Sequence, residues 1–447
     1  MTDTASLQAR RERRVHTLVI AAVWLLRVAV GGVFIVSGFA KADDLYGFVF
    51  KIEDYLSAWD MTQPRSLVLV AAGALSCAEF VLGALLMFGC YRRMAPLLMT
   101  VMMAFMLPLT LYVYIKSPVP DCGCFGDFLV IGNGATFFKN LAITAALVFL
   151  LFANRRVEGL YGAYSQWLVG ACVTVYVLVV ATLGYSAQPL IDFRPYPVGT
   201  SLLGSDTADS APEFEFVYER GSERKTFTAD NIPTDTSWVF VERRLVGGSD
   251  KPSALADFVI TDPVDGADVT ADVISPEGTQ VLVVIPEYDR ADVSSTYLIN
   301  EMEEYLSHHG GEMMAIVGGT PAQIEEWTDL SMADYPVYAA EPTVLKSLAR
   351  GTMAIVCLRD GVIQWKRTAS SINSDIFEEH NLEHHSSHAV ADSAVDSDTL
   401  LESLDTDGVT IWRSFTITLL AVLFIIFVLD RSGRMLVWTI RLRRAAR

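Results

Sequence analysis

Six apolar runs decide what this chain can become, because each is long enough, at roughly 20 residues, to cross the ~30 Å hydrocarbon core of a bilayer. They lie near residues 17–39, 66–90, 94–115, 136–153, 167–186 and 411–429. Five crowd the N-terminal half and one stands near the C-terminus, bracketing a polar middle. The composition agrees: 52% of the residues are hydrophobic, yet the formal net charge is -18. One soluble globule does not reconcile those figures, whereas a membrane bundle joined to an acidic domain does. A nucleic-acid partner is not expected. No Ala-x-Ala-like exit follows the first run, so no cleavable signal peptide is expected.

Arginine placement orients the spans. Arg10, Arg11, Arg13 and Arg14 precede the first, Arg92 and Arg93 separate the second and third, and Arg155 and Arg156 separate the fourth and fifth. Arg431, Arg434, Arg441, Arg443, Arg444 and Arg447 follow the last. Simple alternation puts every cluster on one side, which the positive-inside rule makes cytoplasmic. The expectation is a multi-pass protein of the bacterial inner (cytoplasmic) membrane with both termini cytoplasmic. The loops 41–65 and 116–135 and the long segment 187–410 then lie outside, where disulfides persist. The lipid bilayer is the first partner.

The expected organisation runs as a basic tail (1–16), a four-span up-down bundle (17–153), a turn and fifth span (154–186), and a linker (187–211). An extracytoplasmic α/β domain (212–376), a polar histidine-containing tether (377–410), a sixth span (411–429) and a basic tail (430–447) complete it. Within the α/β domain, strands are predicted at 238–242, 257–260, 280–285, 313–317 and 337–339. Helices fall near 294–308, 322–327 and 343–348, and a final hairpin (353–358, 362–366) turns at Arg359-Asp360-Gly361. The fold class is therefore an α-helical membrane protein, a four-helix bundle plus two further spans. It carries an α/β domain whose β-α-β-α-β-β order is thioredoxin-like.

Chemistry concentrates in Asp121-Cys122-Gly123-Cys124-Phe125-Gly126-Asp127. Cysteines two residues apart can bring their Cα atoms into the ~4.4–6.8 Å window of a disulfide. Gly123 tolerates the backbone angles so small a ring demands. A strained ring is readily reduced, hence labile. Asp121 and Asp127 would disfavour a thiolate, whereas Lys41 and Lys139, on the same side, would favour it. The alternatives are a static clip closing the loop or half of a zinc site, although no second ligand pair lies nearby in sequence.

Two charges lie inside spans. Arg27 is ~13 Å from the cytoplasmic end of the first and Glu79 ~16 Å from that of the second. Each would cost about 2.5–3.5 kcal/mol alone at mid-bilayer, so the two are expected to pair. Such a pair either locks the bundle or forms a proton path serving the dithiol or a quinone. No motif requires a cofactor, and a quinone stays open. Cys77, Cys90 and Cys172 read as packing residues. Cys77 is the relay candidate among them, but its depth argues against direct exchange with Cys122.

The α/β domain lacks the cysteines of a redox thioredoxin fold. Its first central strand, 281–285, leads into Pro286-Glu287-Tyr288-Asp289-Arg290-Ala291-Asp292, and Met353 stands where a cis-proline is expected. Cys357 lies inside a strand. The domain therefore reads as a docking module. His380, His384 and His388 share one face if helical, beside His385, and suit either a metal or, with Glu378, Glu379 and Glu383, a solvated tether. No metal ligand is assigned.

The run from Leu26 to Lys41 resembles the opening of DoxX-type membrane proteins, and Glu79 to Gly89 resembles their second span. Asp121 to Asp127 is similar to the dithiol loop of the related MauE proteins, which are linked to methylamine dehydrogenase maturation. The likeness covers the first four spans, and the whole architecture is similar to longer MauE/DoxX proteins. In the methylamine system a separate thioredoxin-like protein accompanies the membrane protein, so this chain resembles a fusion whose outer domain lacks the partner's cysteines. Vitamin K epoxide reductase, another four-span dithiol bundle, is an analogy only. The resemblance implies a redox-associated protein in which Cys122 and Cys124 exchange electrons with an extracytoplasmic client or thioredoxin-like partner through a mixed disulfide. The rival expectation is a non-enzymatic scaffold whose outer domain binds an envelope protein. A third is metal handling by the histidines.

Overall fold

Glycine brings the first two spanning helices together. Helix α1 (Thr2–Asp43) and helix α3 (Arg65–Met87) run antiparallel. A Cβ at Gly31 would stand 2.7 Å from the Gly83 carbonyl, and one at Gly38 would meet Ser76 and Phe80. Two backbones this close leave no room for side chains between them, so small residues set the register. The computed structural model describes residues 2–61, 63–119, 122–129, 131–203, 213–220, 223–228, 239–247, 258–378, 397–405 and 407–445. It forms two units, Met1–Arg194 with Thr406–Arg447, and Pro195–Asp405.

In the first unit, α2 (Leu45–Ala58) fills what the sequence suggested was a plain loop. Asp44 caps it, its carboxylate accepting the Gly47 N–H at 2.9 Å. Leu45 and Val49 pack against Val68 and Ala72 of α3. At 14 residues α2 is too short to cross a bilayer, and its amphipathic pattern escaped a search for long apolar runs. Helices α4 (Met94–Lys116), α5 (Asn133–Ala153) and α6 (Gln166–Ser186) follow, with the C-terminal helix Gly408–Ala445 closing the chain. Counting α1 and α3, six helices among the described residues are long and apolar enough to cross a membrane, making this a multi-pass helical membrane region. The C-terminal helix is fastened to α6 by the Tyr176 hydroxyl, 2.8 Å from Thr416 Oγ1. It is also fastened to the α5–α6 connection by Asp430, which accepts from the Gly162 N–H and the Ser165 hydroxyl.

The second unit is mixed α/β. Strands β1 (Glu213–Arg220), β2 (Glu223–Thr228) and β3 (Val239–Gly247) make an antiparallel sheet of order β2-β1-β3. Then come β4 (Ile260–Thr261), α7 (Thr270–Val273), β5 (Thr279–Ile285), α8 (Thr296–His309), β6 (Glu312–Val317) and α9 (Pro321–Ser331). They are followed by β7 (Val337–Ala340), α10 (Pro342–Leu348), β8 (Ala354–Arg359), β9 (Val362–Thr368) and α11 (Ser397–Ser403). The six-stranded sheet has the order β4-β7-β6-β5-β8-β9. Strands β5, β6 and β7 are parallel, and β8 and β9 antiparallel. Strand β5 is apolar at successive positions because both faces are covered. Val281, Val283 and Ile285 meet α8 and α9, while Leu282 and Val284 meet α10.

Two expected connectors are built into this unit. Tyr196 and Leu202, from the supposed linker, are buried, and Ser201 bridges Val362. From the supposed tether, Phe377, Leu400, Leu401 and Leu404 enter the core. His380, His384, His385 and His388 lie outside the described residues.

Candidate dithiol site

Helix α4 ends as Ser117 turns into the left-handed region (φ +46°), and the chain must return to the start of α5 within a short loop. Gly123 (φ +64°) and Gly126 (φ +55°) make the return possible, and the Gly126 N–H closes on the Gly123 carbonyl at 3.1 Å. On either side of Gly123 the loop presents Cys122 and Cys124 with their sulfurs 3.0 Å apart, both thiols free. Cys122 is 8% exposed and Cys124 half-buried. Asp121 lies outside the described residues, and Asp127 is exposed.

The loop is held through its backbone. The Ser37 hydroxyl lies 2.7 Å from the Cys124 carbonyl, and the Tyr55 hydroxyl on α2 donates to the Cys122 carbonyl at 3.3 Å. Ser37 Oγ is also 2.8 Å from Glu79 Oε2. Lys41 Nζ lies 2.7 Å from each Glu79 oxygen and 3.2 Å from Ser37 Oγ. Three ammonium hydrogens thus meet three oxygens, leaving the single Ser37 hydrogen for the Cys124 carbonyl or for Glu79. On the other flank, Lys139 Nζ stands 4.2 Å from the Phe125 ring centroid. A cavity of about 30 Å³ joins these parts, lined by Ser37, Lys41, Glu79, Cys124, Lys139 and Asn140 among others. The polar groups share its walls with Val33, Phe34, Ile143 and the methionines of α4, and its size suits a single water.

Arg27 and Glu79 do not pair. The α1–α3 register sets Glu79 beside Ser37 and Lys41, and Arg27 is roughly ten residues, ~15 Å, further along the axis. Depth counted from the span ends does not choose the partner; the register of α1 against α3, fixed by the close approaches at Gly31, Gly38 and Gly83, does. Arg27 is fully buried against the far loops. Its Nε donates to Asn154 Oδ1 at 2.7 Å and its terminal nitrogens to the carbonyls of Val157 (2.8 Å) and Glu158 (2.9 Å). Its guanidinium stacks 4.6 Å from the Trp24 ring centroid. Lys41, expected as an outer-face cation, is a buried one, 2% exposed.

The two thiols differ in acidity. Cys124 is lowered to about 7, chiefly by the hydrogen bond from the Cys122 thiol, against the effect of burial and with help from the Lys139 and Lys41 charges. Cys122 is pushed up, because it gives that hydrogen bond and is buried, although Tyr55 and Lys41 pull the other way. Such an asymmetric dithiol can present one thiolate near neutrality and keep the second thiol in reserve.

The remaining cysteines are not brought here. Cys90 is 1% exposed in another part of the helical unit, and Cys357 is buried within β8. Cys77 and Cys172 border an apolar cluster. Strand β5 ends at Pro286-Glu287 without a cysteine, and Met353 is buried. Among the described residues no cis peptide bond occurs and no group of His, Cys, Asp or Glu is arranged to hold a metal. Ser37 and Tyr55 were missed from sequence. Ser37 was legible as the residue one turn from Lys41, whereas Tyr55 needed α2 to be recognised.

Residues 19–153 match the family described as methylamine utilisation protein MauE. This MauE domain contains α1 from Val19 to the end of α5, and with it the dithiol, Ser37, Lys41, Glu79 and Lys139. Residues 212–246, carrying β1, β2 and most of β3, match a domain of unknown function, DUF8463. No curated protein and no solved structure matches the chain. The MauE match thus covers the candidate site and leaves the six-stranded sheet without a counterpart.

Proposed function

We propose that the MauE domain carries a thiol–disulfide exchange centre, Cys122 and Cys124, serving extracytoplasmic proteins. The supporting observation is a pair of free thiols 3.0 Å apart of which one, Cys124, is acidified to about 7 beside two lysines. A thiolate is the species that attacks a disulfide, and a neighbouring thiol releases the mixed disulfide that results. Phe125, Gly126 and Asp127 shape the loop around the pair, with Lys41, Lys139 and Glu79 as its charged surroundings and Asp121 as a supporting residue of the motif in sequence. Arg27 serves the fold at the other end of the bundle.

The arginine clusters support a cytoplasmic position for the ends of the chain, and hence an extracytoplasmic one for the dithiol and the α/β unit. We read that unit as a thioredoxin-like docking module without redox cysteines, recruiting a client or a separate thioredoxin-like partner.

Thiol trapping in intact cells tests the centre. Cells are acid-quenched and labelled with a mass-shifting maleimide, with Cys122→Ser and Cys124→Ser as controls. A mixture of oxidised and reduced forms that moves with growth redox conditions is expected. A pair that stays oxidised throughout, with both variants functional, would overturn the proposal and leave a structural clip on a scaffold.

A further inference from the structure

The charged groups around the small cavity beside Cys124 do not balance. Lys41 enters from α1, Lys139 from α5, and Glu79 from α3, two cations against one carboxylate. Helix α4 contributes Met102, Met103 and Met106, and no charge. Helix α2 approaches with the Tyr55 hydroxyl and the Lys51 stem, which lies over Gly123, and its Glu53 and Asp54 do not line the cavity. Asp127 is exposed. The Lys41–Glu79 contact neutralises one lysine, and the charge of Lys139 then faces Cys124 and the Phe125 ring. Lys139 is only partly open to solvent, so its charge stabilises an anion placed beside it more than it would in bulk water.

We infer that Cys124 is the attacking thiol, its thiolate completing the charge balance of this cavity, and that Cys122 is the resolving thiol. The inference rests on the exchange reading above and assigns the two roles within it. Cys124 fits because it is half-buried, lines the cavity together with Lys41 and Lys139, and as a thiolate has the Cys122 thiol 3.0 Å away to donate to it. Cys122 is enclosed beneath α2, at 8% exposure, and reaches Cys124 across 3.0 Å.

The Cys124 thiolate attacks one sulfur of a client disulfide. A bond forms between them as the client's own S–S bond breaks, and the electron pair leaves on the client's second sulfur, which takes a proton from water. Cys122 then loses its proton to solvent and attacks Cys124 Sγ. The Cys122–Cys124 bond forms, and the client departs as a thiolate that is protonated in turn. The client gains two electrons and the protein dithiol loses two. Glu79 tunes the first step, since its charge cancels part of the lysine field that Cys124 feels.

The test uses the full-length protein in lipid nanodiscs, reduced and then exposed to glutathione disulfide. Cys122→Ser should accumulate a stable glutathione adduct on Cys124, at least tenfold faster than Cys124→Ser acquires one on Cys122. The reverse order overturns the assignment. Charge balance is then read from the pH profile of iodoacetamide alkylation in the Cys122→Ser background. Glu79→Gln should move the midpoint down and raise the rate at about pH 6 several-fold, while Lys139→Gln should move it up and lower that rate. Shifts of the same sign, or none, overturn the charge argument. Lys139 is half-exposed, so Lys139→Gln keeps the test decisive if Glu79→Gln fails to fold. Adducts that form as expected on a pair that never cycles in cells would sink the exchange reading alone.

Discussion

Lys41 and Glu79 meet at 2.7 Å between α1 and α3 with side chains only 2% and 5% exposed. A charge pair so enclosed is stable because each member satisfies the other. Removing one leaves the second buried and unpaired, which costs about 3–5 kcal/mol. Lys41→Met should therefore lower the thermal unfolding midpoint in detergent sharply. Adding Glu79→Leu should recover most of the loss, because the double variant buries no charge. A double variant as unstable as the sum of the singles would show that the pair is not the reason for the loss.

Arg27 offers a contrast. Its fork of donors matches four acceptors, the Asn154 amide oxygen and the carbonyls of Asn154, Val157 and Glu158, which an ammonium cannot reproduce. Arg27→Lys should cost about 2–3 kcal/mol in detergent unfolding. The alkylation midpoint of Cys124 should stay where it is, since Arg27 sits ~15 Å further along the bundle from the dithiol's anchor. A moved midpoint would contradict that separation.

Two glycines of the same bundle should respond oppositely. A Cβ at Gly83 would stand 2.8 Å from the Gly31 carbonyl, whereas one at Gly32 meets nothing within 4 Å. Gly83→Ala should destabilise by about 1–3 kcal/mol through overpacking. Gly32→Ala should be neutral or stabilising by up to ~1 kcal/mol, through helix propensity alone. Unfolding midpoints of the two variants, measured side by side, decide it.

Gly123 occupies the left-handed region, which an alanine adopts at a cost of about 1–3 kcal/mol. Gly123→Ala should open the distance between the sulfurs and slow intramolecular disulfide formation about tenfold, followed by maleimide labelling after addition of an oxidant. Lys51→Ala in the same chain should not restore the rate. It removes the contact at 3.0 Å from the new Cβ but leaves the backbone angle as it was.

The spanning helices were legible because lipid demands length and apolarity together, and both are properties of the sequence alone. The strands of the six-stranded sheet were legible for a related reason, since burial on two faces leaves unbroken apolar runs such as 281–285. Helix α2 was not, because its apolar residues recur at helical spacing among Lys51, Glu53 and Asp54. The site was half readable. The cysteines announce themselves by spacing, and Lys41 by its place at a span end. Glu79 was noticed but given the wrong partner, because pairing depends on the register of α1 against α3, and that register is set by Gly31, Gly38 and Gly83. Ser37 looked like one more small residue in a packed helix.

That serine divides one hydrogen between the backbone of the reactive loop and a buried carboxylate. The loop and the ion pair therefore compete for a single donor, and neither can be fully served while the other is. A displacement of the Glu79 carboxylate would be felt at the Cys124 peptide, and a shift of that peptide felt at Glu79, through the rotation of one hydroxyl and without movement of either helix.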